Sequence, residues 1–228
     1  MTAKRRSYRR QTGPTRLTTD ELIAALVADL PTHRTAPTIW LYAGILASAA
    51  LSSVAVTLTI GMRPDIAAVA GTAPFVFKFV VTITLAVTAL ALVRAALTPG
   101  FSVQPSPLIL LIGPALLVAA AILELQTLDR GLWLMAATGK NRLLCLVAIP
   151  ALGLVPLGIF KLVLRRGAPT RPSLAGCYAG TLAGGIAATA YALYCTDDSA
   201  LFMAACYTPA IGVLAGLGAA LGGRLLRW

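Results

Sequence analysis

The sequence predicts an all-α integral membrane protein: a six-helix bundle preceded by a short N-terminal cytoplasmic amphipathic helix. Three observations carry that expectation. Hydrophobic residues make up 58% of the chain against 12% charged, and mean hydropathy is +0.83, which leaves little room for a soluble domain. Six apolar runs recur, each close to the roughly 20 residues that a helix needs to cross a bilayer's hydrocarbon core. Basic residues gather beyond one set of run ends, as the positive-inside rule requires. On this reading residues 1–37 form a cytoplasmic tail and residues 38–228 the membrane domain. No cleavable signal peptide is expected, because the first long apolar run begins only near Thr38.

The tail opens with MTAKRRSYRRQTGPTR, basic and without apolar periodicity, which is expected to be disordered and to face anionic lipid headgroups if anything. TTDELIAALVADLPTHR follows. Thr18 and Glu21 have the spacing of a capping box, and Asp20 favours a helix N-terminus. Leu22, Ile23, Leu26, Val27 and Leu30 make one broad apolar face, and Pro31 ends the run. A helix over about 18–31 is too short to span a bilayer and needs a surface to bury against. The pattern leaves two surfaces open, the membrane or bundle on one hand and a soluble protein on the other.

The six runs cover about 38–61, 72–97, 107–125, 143–164, 173–195 and 200–222. Trp40 and Tyr42 start the first as interfacial anchors. The second holds Lys78 and Arg94; the third breaks mildly at Gly113–Pro114 and ends on Glu124. The link after it carries Leu132 to Met135, suited to lying along the interface. Pro150 and Pro156 interrupt the fourth run. The fifth follows a basic turn with Arg165, Arg166 and Arg171 and carries Gly176, Gly180 and Gly184 at four-residue spacing, a face for close helix packing. Gly212 and Gly216, like Gly218 and Gly222, offer similar faces in the sixth. With both termini inside, fourteen of the nineteen basic residues fall on the cytoplasmic side; Arg63, Lys78, Arg130, Lys140 and Arg142 fall outside. The same logic accounts for the net charge of +11 without a nucleic-acid partner.

Candidate chemistry is sparse. The lone His33 excludes a bis-histidine haem, a HExxH zinc site or a histidine proton relay, and no nucleophile–base motif occurs, so no enzyme is expected. The cysteines at 145, 177, 195 and 206 lack CxxC and zinc-finger spacing. The topology puts Cys145 and Cys195 near the non-cytoplasmic face. In the first turn of its helix, beside Lys140 and Arg142, Cys145 is placed to favour thiolate. Asp197 and Asp198 are expected to raise the pKa of Cys195 while attracting soft or divalent cations. The two cysteines therefore read either as a functional pair, able to take a thiophilic metal transiently, or as two small hydrophobes at helix ends. Cys177 and Cys206 read as packing residues. Lys78 and Glu124 are expected to snorkel, with an ion pair between them as the alternative. No acidic residue sits at the centre of a run, which disfavours a proton-coupled transporter.

The segments CLVAIPALGLVPLGIFKLVLRRGAPTRPSLAG, YALYCTDDSALFMAACY and GRLLRW resemble the NrsF-like family of bacterial membrane anti-sigma factors, as do TTDELIAALVADLP and MRPDIAAVAGTAPFVFKFV. The resemblance runs from about residue 18 to the end. It implies a six-span inner-membrane protein that holds an extracytoplasmic-function sigma factor, with membrane lipid as its other partner, no direct nucleic-acid contact and no cofactor. It resolves the choice over residues 18–31 in favour of docking the sigma factor on Leu22, Ile23, Leu26, Val27 and Leu30. It also implies that Cys145 and Cys195 are the family's periplasmic sensing cysteines. Tyr194 stands where the family often has histidine, which removes an imidazole ligand and weakens a metal site at Cys145 and Cys195. The competing classes are a small six-span transporter or channel and a membrane thiol oxidoreductase. The first lacks central polar residues, and the second lacks CxxC and any quinone or flavin signature.

Overall fold

The apolar runs fold as helices whose ends are set by capping side chains and by proline. The computed structural model describes residues 18–28, 37–61, 63–97, 105–167 and 169–225, all helix, turn or irregular segment with no strand among them. The chain divides into two units, residues 1–35 and 36–228.

In the first unit α1 spans Thr19–Ala28. Its capping box is formed: the Thr18 N–H donates to Glu21 Oε2 at 2.9 Å, and the Glu21 N–H donates to Thr18 Oγ1 at 3.3 Å. The Thr18 N–H and the Thr18 hydroxyl, both donating to Oε2, hold the Glu21 carboxyl below its ordinary pKa. Residues 18–25 are all exposed, including Leu22 and Ile23. Of the expected 18–31, the helix is described over Thr19–Ala28. Leu30 and Pro31 lie outside the described residues, as do the side chains of Leu26 and Val27.

In the second unit α2 is Pro37–Thr59, α3 the single turn Ile66–Val69, and α4 Ala73–Leu97. A 3₁₀ turn, Pro107–Leu111, leads into α5, Ile112–Thr127. The change of helix type falls just before Pro114, whose ring and missing N–H fit most easily in a first α-helical turn. A second 3₁₀ turn, Arg130–Leu132, precedes α6, Trp133–Thr138, on which Leu134 and Met135 are exposed. Next come α7, Arg142–Leu164, and α8, Pro172–Ala192. The last run divides into the short α9, Ala200–Phe202, a π turn at Met203–Tyr207, and α10, Thr208–Leu225. Pro209 explains the π turn, because it cannot donate to the carbonyl four residues earlier and crowds it. Run five ends earlier than expected. The N–H groups of Leu193 and Tyr194 turn to the carbonyls of Ala190 and Tyr191, tightening the last turn, so Cys195 lies beyond the helix in an irregular segment.

Five of these stretches are long and apolar enough to cross a membrane: Thr38–Thr59, Ala73–Leu97, Pro107–Thr127, Arg130–Leu164 and Ala200–Arg224. At 21 residues α8 has the length but is less apolar, because glycine, alanine and threonine replace large hydrophobes. Its packing shows why. It contacts α2, α4, α7 and α10, and nearly all its residues from Ala175 to Ala192 are buried, so protein rather than lipid surrounds it. Bulky apolar residues point outward from the peripheral helices instead, such as Leu58 on α2, Leu123 on α5 and Val147 on α7.

The closest approach is between α8 and α10. A Cβ on Gly176 would strike the Gly218 carbonyl oxygen, one on Gly180 the Leu214 carbonyl oxygen, and one on Gly184 the Ile211 side chain at 2.8 Å. From the other side, a Cβ on Gly222 would strike the Pro172 carbonyl oxygen. Gly212 and Gly216 do not take part, contrary to expectation: both are exposed, and a Cβ there meets nothing within 4 Å. The face of α10 that meets α8 is the one carrying Gly218 and Gly222. Gly180→Leu should therefore force the two backbones apart and destabilise the protein by about 3 kcal/mol, whereas Gly216→Leu should leave it unchanged. Melting of the two variants in detergent checks this, and equal melting temperatures would exclude the seam.

Candidate functional site

Beyond the end of α8, the segment Cys195, Thr196, Asp197, Asp198, Ser199 carries four side chains rich in acceptors. Elements from across the bundle donate to it. The Asp198 carboxylate accepts from Arg63 Nη1 at 2.8 and 3.1 Å and pairs with Lys78 Nζ. Arg63, from the link between α2 and α3, turns its remaining face to Asp65, with Nη2 donating to Asp65 Oδ2 at 3.0 Å. That contact holds the Arg63 guanidinium above and the Asp65 carboxyl below their ordinary pKa values. Lys78, from the second turn of α4, also donates to the Cys195 carbonyl at 2.8 Å and the Asp197 carbonyl at 3.2 Å. Arg63 Nη1 reaches the same Cys195 carbonyl at 3.3 Å. Two cations from different segments thus converge on the backbone of one cysteine.

Asp197 faces the other way. Its carboxylate accepts from the backbone N–H of Lys140 at 3.2 Å and of Asn141 at 3.0 Å, and from Asn141 Nδ2 at 3.2 Å. It caps the entry to α7 from outside, through the N–H groups of Lys140 and of the N-cap residue Asn141, whose own side chain makes no cap bond. Asn141 Nδ2 also donates to Thr196 Oγ1 at 3.1 Å. Gly139 makes this fit. Its φ of +53° suits glycine, and a Cβ there would meet Phe202 Cδ2 at 2.6 Å and Asp197 Cγ at 2.8 Å. Glu124 accepts from the Leu201 N–H at 3.1 Å and Ser199 Oγ from the Phe202 N–H at 3.4 Å, so both cap α9.

Beneath this polar layer, Cys145 from the first turn of α7, Cys195 and Cys206 from the π turn share one buried cluster with Tyr191, Phe202, Met203 and Tyr207. All three cysteines are fully enclosed, whereas Cys177 lies outside the cluster and is half-buried. The Tyr191 and Tyr207 rings meet edge to face at 6.0 Å. Their hydroxyls are buried without a hydrogen-bond partner, although Tyr207 stands near enough to Cys195 to influence its ionisation. Cys195 Sγ lies 3.7 Å from the Asp197 carbonyl. Burial above all pushes the Cys195 thiol up in pKa, with Lys78 pulling against it.

Several expectations change here. Lys78 does not snorkel: it is 0% exposed, and its partner is Asp198 rather than Glu124. A cation facing acceptors in the 195–198 segment has no reason to reach for water. Asp197 and Asp198 are not open to a cation, since protein donors fill them. Cys145 is enclosed by core residues rather than presented at a surface. Among the described residues no group of three or more histidine, cysteine or acidic side chains is arranged to hold a metal. Arg63, Asp65, Gly139 and Asn141 were not singled out from the sequence. The signal for the charged ones was their common side in the topology, where buried charge requires a partner. Removing the cap in Asp197→Ala should destabilise the protein by about 1–2 kcal/mol, and Gly139→Ala, which adds a clash, by more. Thermal unfolding in detergent checks both, and native melting in the pair would exclude the cap.

Comparison with known proteins places these features in a family. Residues 26–228 match the family described as negative regulator of sigma F. The chain is 40% identical over 84 residues to the anti-sigma-F factor NrsF of Caulobacter vibrioides, covering 37% of this chain and 39% of that protein. It is 33% identical over 117 residues to the probable anti-sigma-F factor NrsF of Azospira oryzae, covering 49% and 51%. The matches thus span about half or less of these curated relatives. No solved structure matches. With the family match extending from within α1 through the polar segment to the last residue, this chain belongs to the NrsF family.

Proposed function

We propose that this chain is a membrane anti-sigma factor, a binding and regulatory protein that sequesters an extracytoplasmic-function sigma factor at the bacterial inner membrane. The observation that carries this reading is the family match over residues 26–228, supported by the likeness to an anti-sigma-F factor and a probable one. Six spans with both termini cytoplasmic fit it, α8 serving as the central span despite its lower hydropathy. Sequestration is mass action: a complex tighter than the polymerase's own leaves little free sigma factor. Purifying the full chain from native membranes and identifying a bound sigma factor tests the reading; a chain that captures none, and whose deletion leaves transcription unchanged, overturns it.

Docking is assigned to α1. Leu22 and Ile23 are large apolar residues left about half exposed, 47% and 53%, on a helix of ten residues that is marginal alone. The apolar set continues in sequence through Leu26, Val27 and Leu30. A sigma factor's groove covering that set would supply the missing burial. Ile23→Asp should leave the membrane domain intact but place a charge in the docked seam, raising sigma-dependent transcription towards its constitutive level. A reporter fusion at matched protein abundance checks this; full repression would remove Ile23 from the interface.

Release is assigned to Cys145 and Cys195. An oxidant would take two electrons and two protons from the pair to form a disulfide, which requires Cα atoms roughly 4.4–6.8 Å apart. A thiophilic metal would displace the two protons and bridge the sulfurs. To move the released fraction from 1% to 99% the signal must favour the releasing state by about 5.5 kcal/mol. Bonds to sulfur are on that scale. Cys145→Ser and Cys195→Ser should each abolish induction by thiol-reactive metals or oxidants while preserving repression, and the double variant should be no worse than either. Sigma-dependent transcription after metal challenge is the measurement; induction that survives in Cys195→Ser would exclude the pair.

A further inference from the structure

The sensing reading meets an obstacle in the structure, since Cys195 is 0% exposed and no reagent can touch its sulfur until something moves. Two buried cations hold the segment closed. Lys78, itself 0% exposed, bonds two backbone carbonyls and the Asp198 carboxylate, all within residues 195–198. Arg63, 6% exposed, bonds the Cys195 carbonyl and Asp198 with one arm and Asp65 with the other. We infer that Lys78 and Arg63 are positioning residues, a two-cation clamp that holds Cys195 shut inside the core and whose opening admits the signal to the thiol. This deepens the Cys195 reading and rests on it only for its biological meaning.

The physical argument is one of charge balance. Two cations and two carboxylates close a nearly neutral group, and the Cys195 carbonyl accepts from both cations. Withdrawal of either cation takes from Asp198 and from the buried Cys195 carbonyl one of their two cationic donors. Opening must therefore be concerted: the segment leaves both cations together and hydrates them together. Such a device can be rare in the resting state and yet complete when it occurs. Glu124 and Asp197, the other acids at this end, bind backbone N–H groups on different elements and do not compete for Lys78.

The test reads the thiol directly. The full chain in native membrane vesicles is treated with N-ethylmaleimide, and labelling of the Cys195 peptide is followed by mass spectrometry. Lys78→Met keeps the stem and removes the charge, leaving Asp198 with Arg63 alone. Breaking one partner of a buried pair should accelerate Cys195 labelling about a hundredfold. Lys78→Met/Asp198→Leu removes the clamp from both sides, so labelling should be at least as fast as in Lys78→Met, whereas a lysine that only balanced the charge of Asp198 would let the double variant return to native. Native labelling in Lys78→Met, or a return to native in the double variant, overturns the clamp. If Lys78→Met does not accumulate, Arg63→Gln answers the same question, with about tenfold faster labelling expected for loss of a charged hydrogen bond and a native rate overturning the proposal. Sigma-dependent transcription in the same strains separates the two readings: fast labelling with unchanged transcription upholds the clamp and counts against Cys195 as the sensor.

Discussion

Backbone contact between α8 and α10, at Gly176, Gly180, Gly218 and Gly222, is the constraint from which the rest of the bundle follows. Only residues without Cβ atoms allow two helices to approach so closely, and van der Waals contact along such a seam is what membrane helices have in place of a hydrophobic driving force between them. A helix held this way, and covered on its other sides by α2, α4 and α7, has little lipid to face. It can therefore be built from small residues and still be the best-buried helix in the chain. The large apolar side chains move to the periphery, where lipid solvates them. Central placement also decides where α8 ends. Its last turn delivers residues 195–199 to the middle of one end of the bundle, within reach of α4, α5, the start of α7 and the link between α2 and α3.

That delivery explains why so many polar groups meet at one short segment. A segment with no regular structure carries unpaired backbone groups, and burying it demands a donor or acceptor for each. Lys78 and Arg63 satisfy carbonyls of Cys195 and Asp197, while Asp197 and Glu124 satisfy N–H groups at the starts of α7 and α9. A buried ion pair is a weak source of net stability because desolvation offsets attraction. Its effect here is geometric: each bond fixes the segment relative to a different helix. The exchange is reciprocal, since the segment caps helices that in turn hold it.

How much of this was legible in the sequence depends on the range of the interaction. The capping box at Thr18 and Glu21 lies within three residues, and it forms as read. Helix extents follow from apolar length and proline, and run five, expected to reach Cys195, ends at Ala192. The faces of α10 were not legible. Gly212 and Gly216 have the same spacing as Gly218 and Gly222, but the two pairs are six residues apart, roughly 240° around the axis. Spacing reveals that a small face exists and says nothing about which one meets a partner. Lys78 failed for a related reason. Its depth suggested snorkelling because its partner lies about 120 residues away, in the short link between runs five and six. Once Cys195 is placed beyond α8 rather than within it, the acids that follow turn inward, and a buried lysine becomes the expected consequence. Cys145 and Cys195 share one buried cluster, and their enclosure was not legible, because the aromatic cover of Tyr191, Phe202 and Tyr207 comes from three separate elements.

Rigidity is distributed unevenly along the last third of the chain, and that bears on how an event at one end could reach the other. The α8–α10 seam involves backbone on both sides and cannot slide without driving carbonyl oxygens into neighbouring glycines. Between those helices lie the irregular segment 195–199, the three-residue α9 and the π turn with Cys206 and Tyr207. Two buried tyrosine hydroxyls without partners flank that junction, so its packing leaves polar groups that a rearranged state could satisfy. A displacement beginning at Cys195 would meet soft structure first, in the junction, and stiff structure next, in the seam. Soft structure absorbs small movements. Once the polar clamp has let go, the seam has no internal freedom to absorb a larger one, so α8 and α10 must tilt as one body. The turn before α8, with Arg165, Arg166 and Arg171, and the basic end of α10 would move with them. In a bundle where Arg166 stacks on Trp40 at 4.0 Å, such a tilt also changes the setting of the start of α2, the helix that follows the N-terminal tail.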